Sequence, residues 1–188
     1  MILVCGEALV DLFIEPSDGP VMPARAVAGG SPFNVAIGLA RLGAPAAFFG
    51  GLSSDVFGRR LADMLEREGV DLGYAVRSDR LTTLSVVSTD ADGSPAYAFH
   101  GEGKADRMIG ADALPAELPD AVTAIALGSY TIAVDPVGPA LLALARRERG
   151  RRVVSLDPNI RPTVTPDLAA WRRRFDAFLD CAAIVKAS

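Results

Sequence analysis

The chain has 188 residues, of which half are apolar and 22% are charged. That composition is typical of about one globular domain, and it excludes a disordered or low-complexity chain. The net charge of −4 argues against a surface that binds nucleic acid or anionic membranes, and no window of the sequence is long enough to span a bilayer. Two distant cysteines form no disulfide framework, and the N-terminus lacks the basic region of a signal peptide. We therefore expect a cytoplasmic protein.

The N-terminal segment predicts a buried strand that leads to an acidic residue. Met1 to Val4 is an unbroken apolar run, as in parallel strands that are covered on both faces. Asp11 follows, and a carboxylate beyond the end of a central strand lies where open α/β sheets bind ligands. The alternative is a carboxylate that only caps a turn. Residues 12–28 contain several prolines and predict a projecting hairpin or flap.

A glycine turn and a helix follow between Gly29 and Gly43. The two glycines allow a tight turn and close approach of a ligand to the backbone, and Ser31 and Pro32 predict the helix N-cap and first residue. Val35, Leu39 and Leu42 predict the buried face. Free N–H groups and the Asn34 amide at this helix end suit a hydroxyl-rich or anionic small molecule. The alternative is a loop that enters a core helix, with Asn34 as a local cap.

The next segment predicts a strand, a helix and a β-hairpin. Ala46 to Gly50 forms the strand, and Asp55 with the two serines before it caps a helix that ends at Gly69. That helix packs through Val56, Phe57, Leu61 and Leu65. Residues 82–89 and 96–99 form the hairpin around a turn at 90–95, which lacks the later ligands of a calcium loop.

The segment from His100 to Arg107 does not fit two familiar site motifs. Lys104 follows a glycine, but the glycine spacing is wrong for a phosphate-binding loop and no serine or threonine comes next. His100 is the one histidine of the chain, and a lone histidine is more often a packing or surface residue than a catalytic base.

The last third of the chain continues the alternation of strands and helices. Residues 123–127, 152–156 and 182–186 predict strands, Asp135 and Pro136 cap a helix that stops at Gly150, and Thr165 and Pro166 cap a helix through Leu179. The basic runs at 146–152 and 172–174 are interpreted as solvated helix faces.

The strand at 152–156 leads into a polar cluster. Asp157, Asn159 and Arg161 lie at its carboxyl end, where an arginine can pair with phosphate and its neighbours can orient hydroxyls or metal-bound water. A turn with a structural arginine is the alternative.

The order of elements predicts one α/β domain over residues 1–188. Strands that alternate with capped helices indicate a mainly parallel sheet in a three-layer α/β/α sandwich, with small β insertions at about 12–28 and 82–99. A dinucleotide-dependent oxidoreductase would share this fold class, but it needs Gly-x-Gly-x-x-Gly where the chain has Gly6-Glu7-Ala8.

Three stretches of the chain resemble the ribokinase-type (pfkB-like) carbohydrate kinases, most closely bacterial fructokinases. They are Gly6 to Asp11, the Gly29-Gly30-x-x-x-Asn34 turn and helix, and Asp157-Pro158-Asn159-x-Arg161; Ala105-Asp106-Arg107 adds a weaker match. The resemblance implies a ribokinase-like fold in which the two β insertions form a lid over the sugar.

The resemblance also implies residue roles. It assigns sugar binding to Asp11, Gly29, Gly30 and Asn34, with Phe99 and Arg107 as further sugar-side candidates. Asn159 and Arg161 would lie near the phosphoryl path, and Lys186 and Ser188 would contact the nucleotide.

The implied reaction is transfer of the γ-phosphoryl group of ATP, with Mg²⁺, to a hydroxyl of fructose or a related ketose or furanose. The family's Gly-Ala-Gly-Asp segment, which carries its catalytic base, does not occur in the sequence. We therefore expect the base beyond Ser188, no catalytic residue or metal ligand within the chain, and no activity of the 188 residues alone. The alternative is a non-catalytic sugar-binding or assembly module. A homodimer through the lid is a further expectation.

Overall fold

The apolar runs of the sequence pair into a five-stranded sheet at the centre of the molecule. The computed structural model describes residues 1–89, 95–160, 164–165 and 167–187. In chain order the strands of these residues are β1 (Ile2–Cys5), β2 (Leu9–Ile14), β3 (Ala24–Gly29), β4 (Ala46–Phe49), β5 (Gly51–Ser53), β6 (Val76–Ser78), β7 (Leu84–Thr89), β8 (Pro95–His100), β9 (Ala124–Gly128), β10 (Val153–Asp157) and β11 (Ile184–Val185). The central sheet has the order β11-β10-β9-β1-β4, with every pair parallel.

Helices cover both faces of this sheet. The α-helices are α1 (Ser31–Arg41), α2 (Val56–Arg67), α3 (Val137–Glu148) and α4 (Leu168–Leu179). One core joins α1 and α2 to the face that carries Val4 and Phe48, and the other joins α3 and α4 to the face that carries Leu3 and Ile125. Each large side chain buried there contributes about 1.5–3 kcal/mol of transfer free energy. These layers confirm the predicted three-layer α/β/α sandwich.

A second sheet of four strands packs beside the first. Its order is β3-β2-β7-β8, in which β2 and β3 form one antiparallel hairpin, β7 and β8 form another, and β2 and β7 pair in parallel. The hairpins correspond to the two predicted insertions, although the first already begins at Leu9; residues 90–94 of the predicted turn lie outside the described residues. Strands β5 and β6 form a separate parallel pair.

Helix α1 corrects two expectations. Its N-cap is Gly30 rather than Ser31, so no side chain of the N-cap residue bonds to the free N–H groups of the first turn. Its buried face consists of Phe33, Ala36 and Ile37, because Val35 is 42% exposed and Leu42 is 85% exposed. The predicted face is therefore wrong at Val35 and Leu42, whereas Leu39 and the neighbouring Ala36 and Ala40 are buried or packed against the core.

The ends of the other helices agree with the prediction in part. Asp55 caps α2 by accepting the N–H of Gly58 at 2.7 Å, as expected, although Val56 lies exposed. Helix α4 is capped by Asp167, which accepts the N–H of Ala170, rather than by Thr165; Pro166, the other predicted capping residue, lies outside the described residues. The aspartate was a better candidate because its carboxylate accepts hydrogen bonds from helix N–H groups more readily than a hydroxyl.

The basic run at 146–152 is not a fully solvated helix face. The Arg152 side chain is 8% exposed and pairs with the buried carboxylate of Glu148, which also accepts a bond from Arg147 at 2.8 Å. Arg152 donates to the Val122 carbonyl as well, so this ion pair joins α3 to the loop before β9.

Among the described helices, none combines the length and the apolar character that crossing a bilayer requires.

Candidate functional site

A cavity of about 1080 Å³ opens at the carboxyl edge of the central sheet. Its floor is formed by residues that follow the strands of that sheet, and its far wall by the second sheet. The lining includes Glu7, Ser129, Tyr130, Asp157, Asn159 and Lys186 from the first group, Asp11, Ser85, Tyr97 and Phe99 from the second, and Gly30, Ser31, Asn34 and Val35 from the start of α1. Open α/β sheets bind ligands at this edge.

The glycine turn at the start of α1 fits closely against its neighbours. A Cβ on Gly29 would lie 2.3 Å from Oδ2 of Asp11, so the carboxylate of Asp11 occupies the space that a side chain would need. Gly30 has a φ of 106°, and a Cβ there would lie 2.7 Å from the backbone oxygen of Glu7. Position 30 therefore requires glycine, whereas a side chain at position 29 would displace the Asp11 carboxylate, which lies beside the N-terminus of α1.

The first turn of α1 presents polar groups to the cavity. Because Phe33 and Ala36 are buried in the core, Asn34 and Val35 between them face outward. Asn34 and Val35 both line the cavity. Asp11 lies within β2, opposite Val27 of β3, rather than in a loop after β1. Its carboxylate and the Asn34 amide can accept and donate hydrogen bonds to several hydroxyls of one small ligand.

Glu7 is a buried acid at the floor of the cavity, directly after β1. It is 1% exposed, and its carboxylate accepts the N–H of Ser31 at 3.2 Å and the hydroxyl of Thr131 at 3.3 Å. Burial raises the pKa of Glu7 to about 7, and the nearby charge of Asp106 adds to the rise. This carboxylate therefore changes its charge near neutral pH.

Asp106 and Tyr130 form a second buried polar group behind the cavity. The carboxylate of Asp106 accepts the hydroxyls of Thr83 and Tyr130, and burial raises the pKa of both Asp106 and Tyr130. Arg107 lies over the rings of Phe99 and Tyr130, 5.0 Å and 5.1 Å from their centroids. These contacts fix the aromatic wall of the cavity from behind.

The other end of the cavity carries an ion pair. Lys186 follows β11, and its Nζ lies 3.0 Å from Oδ2 of Asp157 at the end of β10. Asn159 follows β10 with a φ of 36°, which turns the backbone back toward the cavity. A smaller cavity of about 190 Å³ adjoins this end and shares Asp157 and Lys186 with the large one. A mobile ammonium at this position can meet an anionic ligand.

Most of the predicted site residues meet at the large cavity. Asp11, Gly30, Asn34, Phe99, Asn159 and Lys186 line it. Gly29 contacts Asp11 from behind, and Arg107 lies behind Phe99, outside the lining. Arg161 and Ser188 lie outside the described residues.

Several lining residues were not in the predicted site. Glu7, Ser129 and Tyr130 each lie just after the carboxyl end of a parallel strand, while Asp157, at the end of β10, was predicted only as part of the polar cluster with Asn159. The rule that selected this cluster would have found the other three had it been applied to every predicted strand. In the described part of the chain, no group of three or more His, Cys, Asp or Glu side chains is arranged to hold a metal ion.

Comparison with known proteins decides the family. The profile described as pfkB family carbohydrate kinase matches residues 1–188. The chain belongs to the pfkB family of carbohydrate kinases. A fructokinase of Rhizobium leguminosarum bv. trifolii is 38% identical over 188 residues, which cover 100% of this chain and 57% of the relative.

Solved structures of pfkB family members share the fold and, in part, the sequence. The fructokinase of Xylella fastidiosa with bound ATP has a TM-score of 0.87 and 29% identity, over 98% of this chain and 59% of that one. The fructokinase of Vibrio cholerae O395 bound to fructose, ADP and calcium ion has a TM-score of 0.79 and 27% identity, over 99% and 59%. The chain thus spans less than two thirds of these pfkB proteins.

Proposed function

We propose that the protein phosphorylates a hydroxyl of fructose, or of a related ketose or furanose, with ATP as the phosphoryl donor. The observation that supports this proposal best is a single cavity that is lined both by Asp11 and Asn34 and by Lys186. An acceptor sugar needs hydroxyl-binding groups, and a nucleotide needs a cation near its phosphates. The membership in the pfkB family and the ligands named for its fructokinase relatives support the same assignment.

The sugar end is assigned to the glycine turn and the second sheet. Asp11 and Asn34 bind hydroxyls, Gly29 and Gly30 leave room for the ring to approach the backbone, and Phe99 covers an apolar face of the sugar. Arg107 supports Phe99 and Tyr130 through its position over both rings. Charge-assisted hydrogen bonds of the Asp11 type contribute about 1.5–3 kcal/mol each.

The phosphate end is assigned to the residues after β10 and β11. Lys186 approaches the nucleotide phosphates by exchanging its partner Asp157 for a phosphate oxygen, and its side chain is 62% exposed and free to move. Asn159 and Arg161 contribute near the transferred phosphoryl group, and Ser188 near the nucleotide. When bound, Mg²⁺ would neutralise charge on the phosphates; no protein ligands for it are assigned among the described residues.

The general base is not assigned to any residue of this chain. Asp11, Asn34 and Lys186 position the two substrates, but a proton must also leave the acceptor hydroxyl during transfer. Positioning without a base retains binding, while loss of a base lowers the rate by a factor of about 10²–10⁴. Binding without turnover is therefore expected of residues 1–188 alone, and it would be the mark of the alternative, a sugar-binding or assembly module derived from such a kinase, only in a protein that also carries the base segment.

The test is an assay that couples ADP release to the addition of fructose, together with calorimetric titration of fructose without nucleotide. In a protein long enough to include the family's Gly-Ala-Gly-Asp segment, a sugar kinase should bind fructose and release ADP at a rate on the order of 10 s⁻¹. Residues 1–188 alone should bind fructose without releasing ADP, because no base is assigned among them; binding without release in the longer protein would favour the alternative module. The absence of both binding and turnover with fructose, ribose and other furanoses would contradict the proposal.

A cytoplasmic location and a homodimer through the second sheet belong to the same proposal. Val27 of β3, the edge strand of that sheet, is 38% exposed, and a partner sheet could cover it. Light scattering of the purified protein should then give twice the monomer mass. A charged substitution such as Val27→Glu should reduce the measured mass to that of a monomer. A wild type that is monomeric at every concentration would exclude the homodimer.

A further inference from the structure

The buried carboxylate of Glu7 has no part in the proposed function, although it lies at the sugar end of the cavity. It is 1% exposed and located between the end of β1 and the start of α1. One carboxylate oxygen accepts the backbone N–H of Ser31, and the other accepts the hydroxyl of Thr131. The adjacent Gly30 fits against the backbone oxygen of the same residue.

Helix α1 lacks the usual groups that satisfy a helix N-terminus. Its N-cap is a glycine, no side chain of that residue bonds to the first turn, and that turn contains no acidic residue. Glu7, which is 24 positions earlier in the chain, supplies the missing acceptor to the first helical N–H. An ionised carboxylate at a helix N-terminus is also favoured by the helix dipole.

We propose that Glu7 is a positioning residue of the sugar site, whose ionised carboxylate holds the first turn of α1, and with it Gly30 and Asn34, in the sugar-binding geometry. This inference rests on the proposed function for its sugar readout. Glu7 acts through Ser31 and contacts no sugar atom itself. Protonation removes its charge and weakens its hold on the helix end, so sugar affinity should fall with it.

The charged and titratable groups around Glu7 affect the pH at which it is protonated. Asp106 approaches from the loop after β8 and Tyr130 from the turn after β9, and Arg107 acts on both of them. Asp11, Asp157 and Lys186 line the same cavity. Because burial raises the pKa of Glu7 to about 7, the ionised form dominates above neutral pH and is lost as the pH falls below it.

The experiment measures fructose affinity by calorimetry as a function of pH, for the wild type and for Glu7→Gln. We expect the wild-type dissociation constant to rise by about threefold or more from about pH 8 to about pH 6, and the profile of Glu7→Gln to be flat. Glu68→Gln is the matched control. Glu68 pairs with Arg41, which lies at the C-terminal end of α1, whereas Glu7 contacts the N-terminal end of that helix. The Glu68→Gln variant should keep the wild-type profile.

A second variant keeps the carboxylate and shifts its titration. Ser129→Ala removes the side-chain hydrogen bond that lowers the pKa of Glu7, so the midpoint of the profile should move to higher pH than in the wild type. A flat wild-type profile, or a Glu7→Gln profile equal to that of the wild type, overturns the inference. A purely structural role would lower the Tm of Glu7→Gln and leave the pH dependence of affinity unchanged.

A readout without sugar separates this inference from the proposed function. Failure of the wild type to bind fructose, ribose or another furanose at any pH contradicts the proposed function. The inference is then decided by amide exchange at Ser31, corrected for the intrinsic effect of pH. Protection that falls below neutral pH in the wild type but not in Glu7→Gln supports it, and equal protection at all pH values overturns it.

Discussion

The cavity lies between two walls that are built in different ways. The wall of the central sheet rests on the core: Phe33 and Glu7 are each 1% exposed, and Tyr130 is 4% exposed. In the second sheet, by contrast, residues 24–27 of β3 are all exposed, and Tyr97 of β8 is 62% exposed. Local stability follows the number of buried apolar contacts, so the first wall should be rigid and the second should open more readily.

This difference separates two tasks of a sugar-binding site. A rigid wall holds the glycine turn and Asn34 in place before the ligand arrives, which reduces the entropy lost on binding. A wall with fewer buried contacts can close over the ligand and exclude water. Asp11 lies on the second sheet with its carboxylate beside Gly29, the residue after which the chain leaves that sheet and enters α1, so it lies where the two walls meet.

The largest effect is expected from Gly30→Ala, which distorts the rigid wall. The new Cβ would meet the Glu7 backbone oxygen at 2.7 Å and force an unfavourable φ. Strain of about 1–3 kcal/mol should weaken fructose binding by about tenfold to a hundredfold in calorimetry. Gly38→Ala in the same helix is the control, because a Cβ there meets no atom within 4 Å. Equal affinities of both variants would contradict a rigid glycine turn.

Asp11→Ala should have the next largest effect, because it removes the carboxylate that lies where the two walls meet. We expect a loss in fructose affinity of about tenfold, with an unchanged far-UV circular dichroism spectrum, since charge-assisted bonds to hydroxyls are lost while the core is intact. Asp18→Ala on the exposed part of the first hairpin should bind as the wild type does. An unchanged affinity of Asp11→Ala would remove Asp11 from the sugar site.

A moderate effect is expected at the nucleotide end. The sequence contains two lysines, Lys104 and Lys186, so acetylation of each can be followed separately by mass spectrometry. ATP should slow the acetylation of Lys186 by about threefold or more and leave Lys104 unaffected, because only Lys186 lines the cavity among the two. Equal rates at Lys186 with and without saturating ATP would contradict its assignment to the phosphates.

The smallest effect is expected in the motion of the second sheet. Amide exchange in residues 24–29 and 84–89 should slow by about twofold to threefold at saturating fructose, while exchange in α3 stays the same. Such a difference would show that the second wall closes as a lid. Exchange that slows equally in α3 and in the second sheet would indicate general stabilisation instead.

The sequence was sufficient for the architecture because strands and helices alternate with clear caps and stops. Apolar runs such as Ala46 to Phe49 and the stops at Gly43, Gly69 and Gly150 appear where expected, each of these glycines with a positive φ. The face of α1 could not be predicted as reliably. Val35 and Leu42 continue an apolar repeat, and only the packing of Phe33 and Ile37 against the sheet shows which repeat is buried.

The site was predicted where one motif contains both the turn and the ligand group. Gly30 and Asn34 lie in one motif, and Asp11 was predicted from the strand before it, although it lies within β2. Glu7 and Thr131 are more than 120 residues apart, and their contact depends on the pairing of β1 with β9, which no local pattern reveals. Buried polar networks of this kind follow from sheet order, so sequence alone gives little warning of them.

The most direct test is a crystal structure of the protein with fructose at saturating concentration. The account predicts electron density for the sugar in the cavity, with hydroxyl oxygens within about 3.2 Å of the Asp11 carboxylate and of the Asn34 amide. It also predicts that the glycine turn keeps its geometry while the second sheet moves toward the sugar. Fructose bound elsewhere, or an empty cavity at saturating concentration, would contradict the account.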